Sequence, residues 1–262
     1  MKLIRFTNGS KTGYGILEGE KIREIRGDFF GEWAKTANTL PLNEVRLLPP
    51  VVPPNIIAIG LNYRNHAQEI GFTVPKAPVI FLKATSSLAG PEDAIVLPKI
   101  APGNVDYEAE LTVVIGKKAK DVRREEALDY VLGYTCGNDL SARDCQFKLD
   151  QQWARAKSFD TFCPLGPVIE TELDPGNCRV QSRLNGRVMQ DSSTRDLICD
   201  VPALVSYCSR NMTLLPGTVI MTGTPEGVGY NRTPPIYLQA DDLVEVEIEG
   251  IGVLRNRVVL EK

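Results

Sequence analysis

The chain has 262 residues, with 30 Lys and Arg against 33 Asp and Glu, so its formal net charge is -3. Hydrophobic residues make up 43% and charged residues 24%, which is the composition of a globular protein with a full core. This balance excludes a partner made mainly of phosphate, because nucleic-acid binders concentrate positive charge. No stretch approaches the roughly 18 apolar residues of a membrane-spanning helix. The N-terminus turns polar after six residues, so we expect no signal peptide, no membrane partner and a cytoplasmic location.

The counts of cysteine and histidine narrow the kinds of metal site. The six cysteines are never closer than nine residues apart. That spacing excludes the C-x-x-C pairs of zinc knuckles and redox sites, and it predicts reduced thiols. His66 is the one histidine of the sequence. A site with two imidazole ligands is therefore excluded, and a metal must be held mainly by oxygen, as magnesium or manganese is.

The N-terminal part of the chain is predicted to be a small β-rich unit. Residues 1–48 contain three short strands joined by tight turns, followed by a short helix at residues 29–36. The segment LLPPVVPPN carries four prolines, which restrict the backbone and predict a semi-rigid linker. We therefore divide the chain into an N-terminal domain of residues 1–50 and a main domain of residues 51–262.

The main domain is predicted to consist mostly of strands. Segments rich in β-branched residues and bounded by Gly, Pro or Asp are NIIAIG, APVIFLK, AIVLP, YEAELTVVIG, VLGYTCGN, TVIMTG, LVEVEIEG and GVLRNRVVLE. Asn185-Gly186 predicts a hairpin between CRVQSRL and RVMQDSS. Three helices are predicted, beginning at Asn62, Asp121 and Asp200. Because strands and helices do not alternate, a mainly β fold is favoured over a doubly wound parallel sheet.

Carboxylate spacing is the main chemical feature, since the sequence has neither a G-x-S-x-G elbow nor a phosphate-binding loop. In DYEAELTVVIG, Glu108 and Glu110 share one face of a strand, because side chains alternate along it. Two close carboxylates repel unless a cation lies between them, and hard divalent cations suit that position. A solvated strand is the alternative. We interpret Glu245, Glu247 and Glu249 in LVEVEIEG as such a row, so spacing alone leaves both interpretations open.

Four further features have both a functional and an ordinary interpretation. Asp139 follows a predicted strand, where site residues often lie, but Asn-Asp also suits a turn. His66 and Glu69 share a helix face and form either a general base with its orienting carboxylate or a chance surface pair. Lys157 lies near aromatic residues and either faces an anion or is exposed. The glycines around Thr224 in MTGTPEGVG either approach an anion or form a plain turn.

Together, the amino-acid sequences of seven segments, and their order along the chain, closely resemble the fumarylacetoacetate hydrolase family over about residues 51–262. These segments are GLNYRNHAQE, PVIFLK, DYEAELTVVIGK, GYTCGNDLSARDCQ, AKSFDTFCPLGP, NG…MQDSSTRDL and GTVIMTGTPEGVG. The resemblance implies a mixed β-sandwich or roll, in which residues 51–262 form the catalytic domain. It also implies a homodimer and a magnesium or manganese site.

The resemblance assigns roles to nine positions of this sequence. They are Glu108, Glu110 and Asp139 as metal ligands, His66 and Glu69 as the water-activating dyad, Lys157 facing the substrate oxygens, Arg143 and Gln146 at the distal end of an acidic substrate, and Thr224 at the substrate carboxylate. Larger family members carry a further acid shortly before the histidine, and residues 55–65 contain none. This departure makes the chain similar to the smaller members: acylpyruvate hydrolases, oxaloacetate decarboxylases and isomerase/decarboxylases of homoprotocatechuate breakdown.

The function predicted from the resemblance is metal-dependent hydrolysis of a carbon–carbon bond in a 2-oxo or 1,3-diketo acid, with oxaloacetate decarboxylation as a related activity. The expected partner is a small ketonic acid. Two alternatives share the same residues: an isomerase/decarboxylase of a hydroxymuconate-type diacid, and a non-catalytic member that binds a diacid.

Overall fold

A computed structural model of the chain describes residues 1–9, 11–101, 103–149 and 152–262. The protein is mainly β, as predicted. Strands β1–β9 are Lys2–Thr7, Thr12–Glu18, Lys21–Gly27, Trp33–Pro41, Arg46–Leu47, Ile56–Gly60, Val79–Lys83, Leu88–Ala89 and Ile95–Leu97. Strands β10–β19 are Val105–Asp106, Ala109–Ile115, Val131–Asn138, Ser141–Ala142, Cys163–Glu170, Arg179–Leu184, Arg187–Ser193, Val219–Met221, Leu243–Ile248 and Gly252–Leu260. Helices α1–α3 are Arg64–Glu69, Trp153–Ala156 and Val201–Asn211.

The strands form one large, one medium and one two-stranded sheet. The large sheet has the order β4-β3-β2-β1-β14-β12-β11-β17-β6-β7, with β5 beside β1 and β8 beside β14. The medium sheet has the order β16-β15-β18-β19-β9, and β10 pairs with β13. The hairpin of β15 and β16 turns at Asn185 and Gly186, both with positive φ, as a two-residue turn of this sequence requires.

The N-terminal segment belongs to the same sheet as the strands of the main domain. Strand β1 pairs antiparallel with β14, with Lys2 opposite Glu170 and Leu3 opposite Ile169. Ile4 and Phe6 enter the same core cluster as residues of the central strands. Residues 1–47 therefore extend the large sheet and share its core.

The main core lies between the large sheet and the medium sheet. Leu111 and Cys136 of the large sheet pack in one cluster with Val246 and Leu254 of the medium sheet, as in a β-sandwich. Helix α3 adds its buried face to this cluster, and Asp200 caps its first turn by accepting a hydrogen bond from the Ala203 amide at 3.0 Å. Every residue of β11 is buried, so this central strand carries the site residues into the interior.

Several local predictions were wrong. Residues 29–36 do not form a helix: strand β4 begins at Trp33 and pairs with β3. Asp121 is not an N-cap, because it has a φ of 54° and the following helix is a 3-10 helix over Arg124–Tyr130. Strand β14, helix α2 and a π-helix over Cys145–Leu149 were not predicted. Proline and glycine in CPLGPVIE concealed β14 from a pattern based on β-branched residues.

Among the described residues, no helix is long and apolar enough to cross a membrane.

Candidate active site

All nine residues that the sequence analysis assigned to a site line one cavity of about 510 Å³. They are His66, Glu69, Glu108, Glu110, Asp139, Arg143, Gln146, Lys157 and Thr224. The cavity lies at one edge of the large sheet. Strands β6 and β17 are parallel neighbours, so their carboxyl ends reach the same edge, and β12 ends there beside the start of β11.

Three buried carboxylates form the charged floor of the cavity. Glu108 immediately precedes β11, Glu110 is its second residue, and Asp139 immediately follows β12. Because Ala109 pairs with Asn138, these positions are adjacent, and the Asp139 amide donates to the Glu108 carbonyl at 2.9 Å. One oxygen from each carboxylate lies within 4.8 Å of the others. This is the one group of three metal-ligating side chains among the described residues.

Two buried lysines neutralise part of this acidic group. The Lys157 ammonium bridges Glu108 Oε2 at 2.7 Å and Asp139 Oδ2 at 2.6 Å. Lys83 pairs with Asp139 Oδ1 and donates to the Phe162 carbonyl at 2.9 Å. Desolvation lowers the pKa of Lys157, but the charges of Asp139 and Glu108 outweigh it and raise this pKa above its ordinary value. Lys157 is therefore a permanent cation at the floor.

Glu110 differs from the other two carboxylates because no described cation pairs with it. Its Oε2 accepts a hydrogen bond from the Gly223 amide at 2.9 Å. Burial and the charges of Asp139 and Glu108 raise the pKa of Glu110 well above its usual range. For Glu108, burial also raises the pKa, but Lys157 and Arg143 outweigh it and lower this pKa to about 2.

The three carboxylates fit a hard divalent cation. All donors are oxygens, which magnesium and manganese prefer, and they lie close enough to bond one centre. Glu110 lacks the opposite charge that an ionised buried carboxylate requires. We therefore describe Glu108, Glu110 and Asp139 as a candidate metal site.

His66 and Glu69 lie on α1 at the side of the cavity. His66 is 8% exposed, and its Nδ1 lies 2.9 Å from Glu69 Oε2. Burial raises the pKa of Glu69, but hydrogen bonds from His66, Asn231 and Gly227 outweigh it and lower this pKa. Because an ionised carboxylate only accepts hydrogen bonds, Nδ1 carries a proton, and in the neutral form of the ring the lone pair is then on Nε2. This arrangement is that of an oriented general base.

Arg143, Gln146 and Thr224 already have partners within the chain. The Arg143 guanidinium donates to Asp106 through Nε at 2.9 Å and Nη2 at 2.8 Å, pairs with Glu108 through Nη2 at 2.7 Å, and donates to Gln146 through Nη1 at 2.7 Å. Thr224 Oγ1 donates to the Ala109 carbonyl at 3.1 Å. Their contacts with a substrate remain predictions.

Several residues that organise the site were missed by the sequence analysis. Buried Asp106 accepts hydrogen bonds from the amides of Gly229 and Tyr230, at 2.8 and 2.9 Å, as well as from Arg143. Gln190 of β16 accepts from the Ala109 amide at 3.0 Å and donates to Thr224 at 2.7 Å. Lys83 and Gln190 lie within PVIFLK and MQDSSTRDL, two of the segments that carry the family resemblance, but the sequence analysis assigned no role to them.

The glutamate row of β18 is not part of a metal cluster within the described chain. It is also less solvated than predicted. Glu245 has a side chain only 12% exposed, and it accepts hydrogen bonds from Arg183 at 3.0 Å and from Arg255 at 2.7 Å. Glu247 pairs with Arg183 at 2.6 Å. Arginines of the neighbouring strands thus neutralise this row.

Comparison with known families identifies the family of the chain. Residues 55–259 match the family described as fumarylacetoacetate (FAA) hydrolase, C-terminal. The chain belongs to the fumarylacetoacetate hydrolase family. Residues 1–50 match a second family, described as Rv2993c-like, N-terminal.

Named relatives of the chain include isomerases and tautomerases. The 5-carboxymethyl-2-hydroxymuconate delta-isomerase structure from Mycobacterium smegmatis is 44% identical, with a TM-score of 0.91 and coverage of 100% of both chains. The 2-hydroxyhepta-2,4-diene-1,7-dioate isomerase from Mycobacterium marinum is 43% identical, with a TM-score of 0.89 and coverage of 100% of this chain and 99% of that one. The mitochondrial oxaloacetate tautomerase Fahd2a of Rattus norvegicus is 44% identical over 84% of this chain and 71% of its own length. These three relatives are thus named as enzymes, two as isomerases and one as a tautomerase.

Proposed function

We propose that the protein is a divalent-metal-dependent enzyme that moves a proton on the carbon beside the keto group of a 2-oxo acid, as a tautomerase or isomerase. One observation carries this proposal: a buried acidic trio, two of whose carboxylates are bridged by Lys157, lines the same cavity as the His66–Glu69 pair. Such a site combines charge stabilisation with a base. The names of the relatives add support.

The floor of the cavity would bind the 2-oxo acid head. Glu108, Glu110 and Asp139 would hold magnesium or manganese, which when bound supplies Lewis-acid polarisation of the keto oxygen. Lys157 adds a second, permanent positive charge at the floor. Its position between Glu108 and Asp139 is fixed by two short hydrogen bonds, so it needs little rearrangement as negative charge develops on the keto oxygen.

His66 would carry the proton. Its Nε2 accepts a proton from C3 of the substrate, and the electron pair of that C–H bond forms the C2–C3 double bond while negative charge moves to the keto oxygen. Protonation of that oxygen gives the enol, and protonation of a farther carbon in a conjugated chain gives the isomer. Glu69 stabilises the imidazolium through Nδ1.

The same histidine favours hydrolysis as a second candidate, which is the activity that the sequence predicted. In a 1,3-diketo acid, Nε2 would take a proton from water as the water oxygen attacks the distal carbonyl. The bond between that carbonyl carbon and C3 then breaks, and C3 takes up a proton. Decarboxylation of a β-keto acid needs no such base, so it would survive the loss of His66.

The test follows enol–keto conversion of oxaloacetate by ultraviolet absorbance, and acetylpyruvate hydrolysis in parallel, with Mg²⁺, Mn²⁺ or EDTA. We expect metal-dependent tautomerisation that falls by about 10²–10⁴-fold in His66→Gln, the range for loss of a general base. Leu215→Ala, a change at an exposed residue that does not line the cavity, is the control.

The outcomes separate the candidates. Hydrolysis without tautomerisation would replace the first candidate by the second. Tautomerisation that is equally fast with EDTA, or unchanged in His66→Gln, would contradict the proposed chemistry. Absence of both reactions with either metal would leave a protein that binds a diacid without turning it over.

A further inference from the structure

The cavity has a charged floor and an apolar outer part. The floor consists of the carboxylates and cations described above. The outer part, which we call the vestibule, is defined by six of the apolar lining residues: Ile70, Phe72, Phe81, Phe147, Trp153 and Tyr230. Five of these six are aromatic. A substrate whose 2-oxo acid head lies on the floor would place its other end in the vestibule.

The cations that line the cavity are already committed to carboxylates of the chain. Among the described residues, Arg143 and Lys157 are the Lys and Arg side chains that line it. Lys157 bridges Glu108 and Asp139, and each of the three Arg143 nitrogens is hydrogen-bonded within the chain. A second carboxylate on the substrate would therefore meet no unpaired cation.

Charge counting leads to the same conclusion. Four carboxylates line the cavity, on Glu69, Glu108, Glu110 and Asp139, against two cations. A bound divalent ion brings the sum of these charges to zero. A substrate with one carboxylate then adds one negative charge beside the metal and Lys157. A dicarboxylate adds another in the vestibule, where the nearby Arg143 guanidinium, 5.9 Å from the centroid of the Tyr230 ring, is already hydrogen-bonded to Asp106 and Gln146. A charge without a partner is costly among such aromatic side chains.

Three aromatic side chains of the vestibule are solvent-exposed and so offer contact surface to an aromatic ligand. Phe72 is 61% exposed, Phe147 is 43% exposed and Tyr230 is 42% exposed. The rings of Phe147 and Tyr230 lie 5.2 Å apart at an interplanar angle of 33°. Clustered exposed apolar side chains often mark binding sites, and aromatic rings favour contacts at such separations.

The inner wall of the vestibule is closely packed. The Trp153 ring packs edge-on against Phe81 at 5.6 Å. It also lies against the backbone of Gly60, where a Cβ atom would be 2.2 Å from Trp153 Cζ3. The absence of a side chain at position 60 thus allows the indole to form part of the wall.

We infer that the vestibule is a specificity subsite for an uncharged aromatic group, so that the preferred substrate is a monocarboxylic 2-oxo acid with an aryl substituent rather than a dicarboxylic acid. The inference rests on the proposed function, because it assumes that a 2-oxo acid head binds at the floor.

Binding without turnover tests this inference. Calorimetric titration of the full-length, Mg²⁺-loaded protein compares benzoylformate, ketomalonate and pyruvate, which share the 2-oxo acid head and carry a phenyl, a carboxylate and a methyl group. We expect benzoylformate to bind at least tenfold more tightly than ketomalonate. In Phe147→Ala the ratio of benzoylformate to pyruvate affinity should fall about 3- to 10-fold, the value of one aromatic contact. Leu215→Ala, equally exposed but outside the cavity, should leave the ratio unchanged.

A gain-of-function variant keeps the test independent of lost stability. Phe147→Lys places a cation in the vestibule and should shift the preference toward ketomalonate. If ketomalonate binds the unmodified protein as tightly as benzoylformate, or if both Phe147 variants leave the ratios unchanged, the inference is wrong while the proposed function stands. If none of the three acids binds, the proposed function itself fails, and the inference fails with it.

Discussion

Glu110 and Asp139 lie in the same buried acidic trio but have opposite surroundings. Asp139 is held by Lys83 and Lys157, whereas Glu110 accepts a backbone hydrogen bond from Gly223 and has no described cation partner. Breaking a buried ion pair leaves an uncompensated charge. Replacing a buried carboxyl that has no cationic partner breaks no such pair. The two residues therefore contribute differently to stability, although both are expected to bind the metal.

We expect Asp139→Asn to destabilise the metal-free protein by about 3–5 kcal/mol, because it leaves buried lysines without one of their carboxylates. We expect Glu110→Gln, under the same conditions, to change the free energy of unfolding by less than about 1 kcal/mol, since the amide oxygen can still accept from Gly223. Urea unfolding at pH 7.5 with EDTA measures both. Equal destabilisation by the two substitutions would contradict the assignment of lysine partners to Asp139 and of a backbone amide alone to Glu110.

The residue-level prediction from sequence had a definite limit. The pairs Glu108–Glu110 and Glu245–Glu247 have the same spacing on a strand, so alternation alone cannot distinguish them. The two pairs differ in the strands that lie beside them. Strand β12 brings Asp139 beside the first pair, while Arg183 and Arg255 neutralise the second. Neighbours of this kind are set by long-range strand pairing, and only the family resemblance carried that information before the fold was known.

At the scale of the element, strand β18 shows how an acidic row is stabilised without a metal. Hydrogen bonds from Arg255 and Arg183 lower the pKa of Glu245 below its ordinary value, although partial burial opposes this. A carboxyl whose folded pKa is depressed contributes stability above its unfolded pKa of about 4.3. That contribution is lost as the pH falls through the folded pKa.

We therefore expect Glu245→Gln to lower the free energy of unfolding by about 1 kcal/mol at pH 7, with the difference from the unmodified protein disappearing as the pH falls below about 4. Urea midpoints at pH 7, 5, 4 and 3 measure this. Glu32→Gln, at an exposed residue outside any described ion pair, is the control. A difference that persists unchanged at pH 3 would show that packing, and not charge, accounts for the effect.

Elements with strong local signals were predicted and those without were not. The Asn185-Gly186 hairpin and helix α3 with its Asp200 cap depend on turn and capping chemistry that the sequence displays directly. Strand β4 does not: its residues WAKTANTLP are mostly exposed and show no alternation, and pairing with β3 defines it. Tertiary pairing, and not intrinsic propensity, decided its structure.

At the scale of the whole molecule, the N-terminal segment and the site-bearing strands share one sheet. The match of residues 1–50 to a separate family indicates a distinct sequence unit, but β1 pairs with β14, and Ile4 packs in the main core. The pairing of β1 with β14 also covers an edge of β14 that would otherwise be exposed. Homodimer formation, which the family resemblance implies, remains a prediction at this scale.

Two tryptophans make it possible to measure whether the N-terminal segment unfolds together with the rest of the protein. Trp33 lies in β4 and Trp153 in α2, so the variants Trp33→Phe and Trp153→Phe each report fluorescence from one region. We expect fluorescence and far-ultraviolet circular dichroism to give the same urea midpoint within each variant, because both regions share one core. If the Trp33 signal changes at a lower urea concentration than the dichroism of the same variant, the N-terminal segment unfolds separately.

The proposed chemistry depends most on the binding of one divalent ion by Glu108, Glu110 and Asp139. Titration of Mn²⁺ followed by electron paramagnetic resonance tests this directly, with Glu110→Gln as the variant and Glu245→Gln as the matched control. We predict one tightly bound Mn²⁺ per chain in the unmodified protein and in Glu245→Gln, and loss of that binding in Glu110→Gln. Equal Mn²⁺ affinity and stoichiometry in all three proteins would contradict the assigned metal centre.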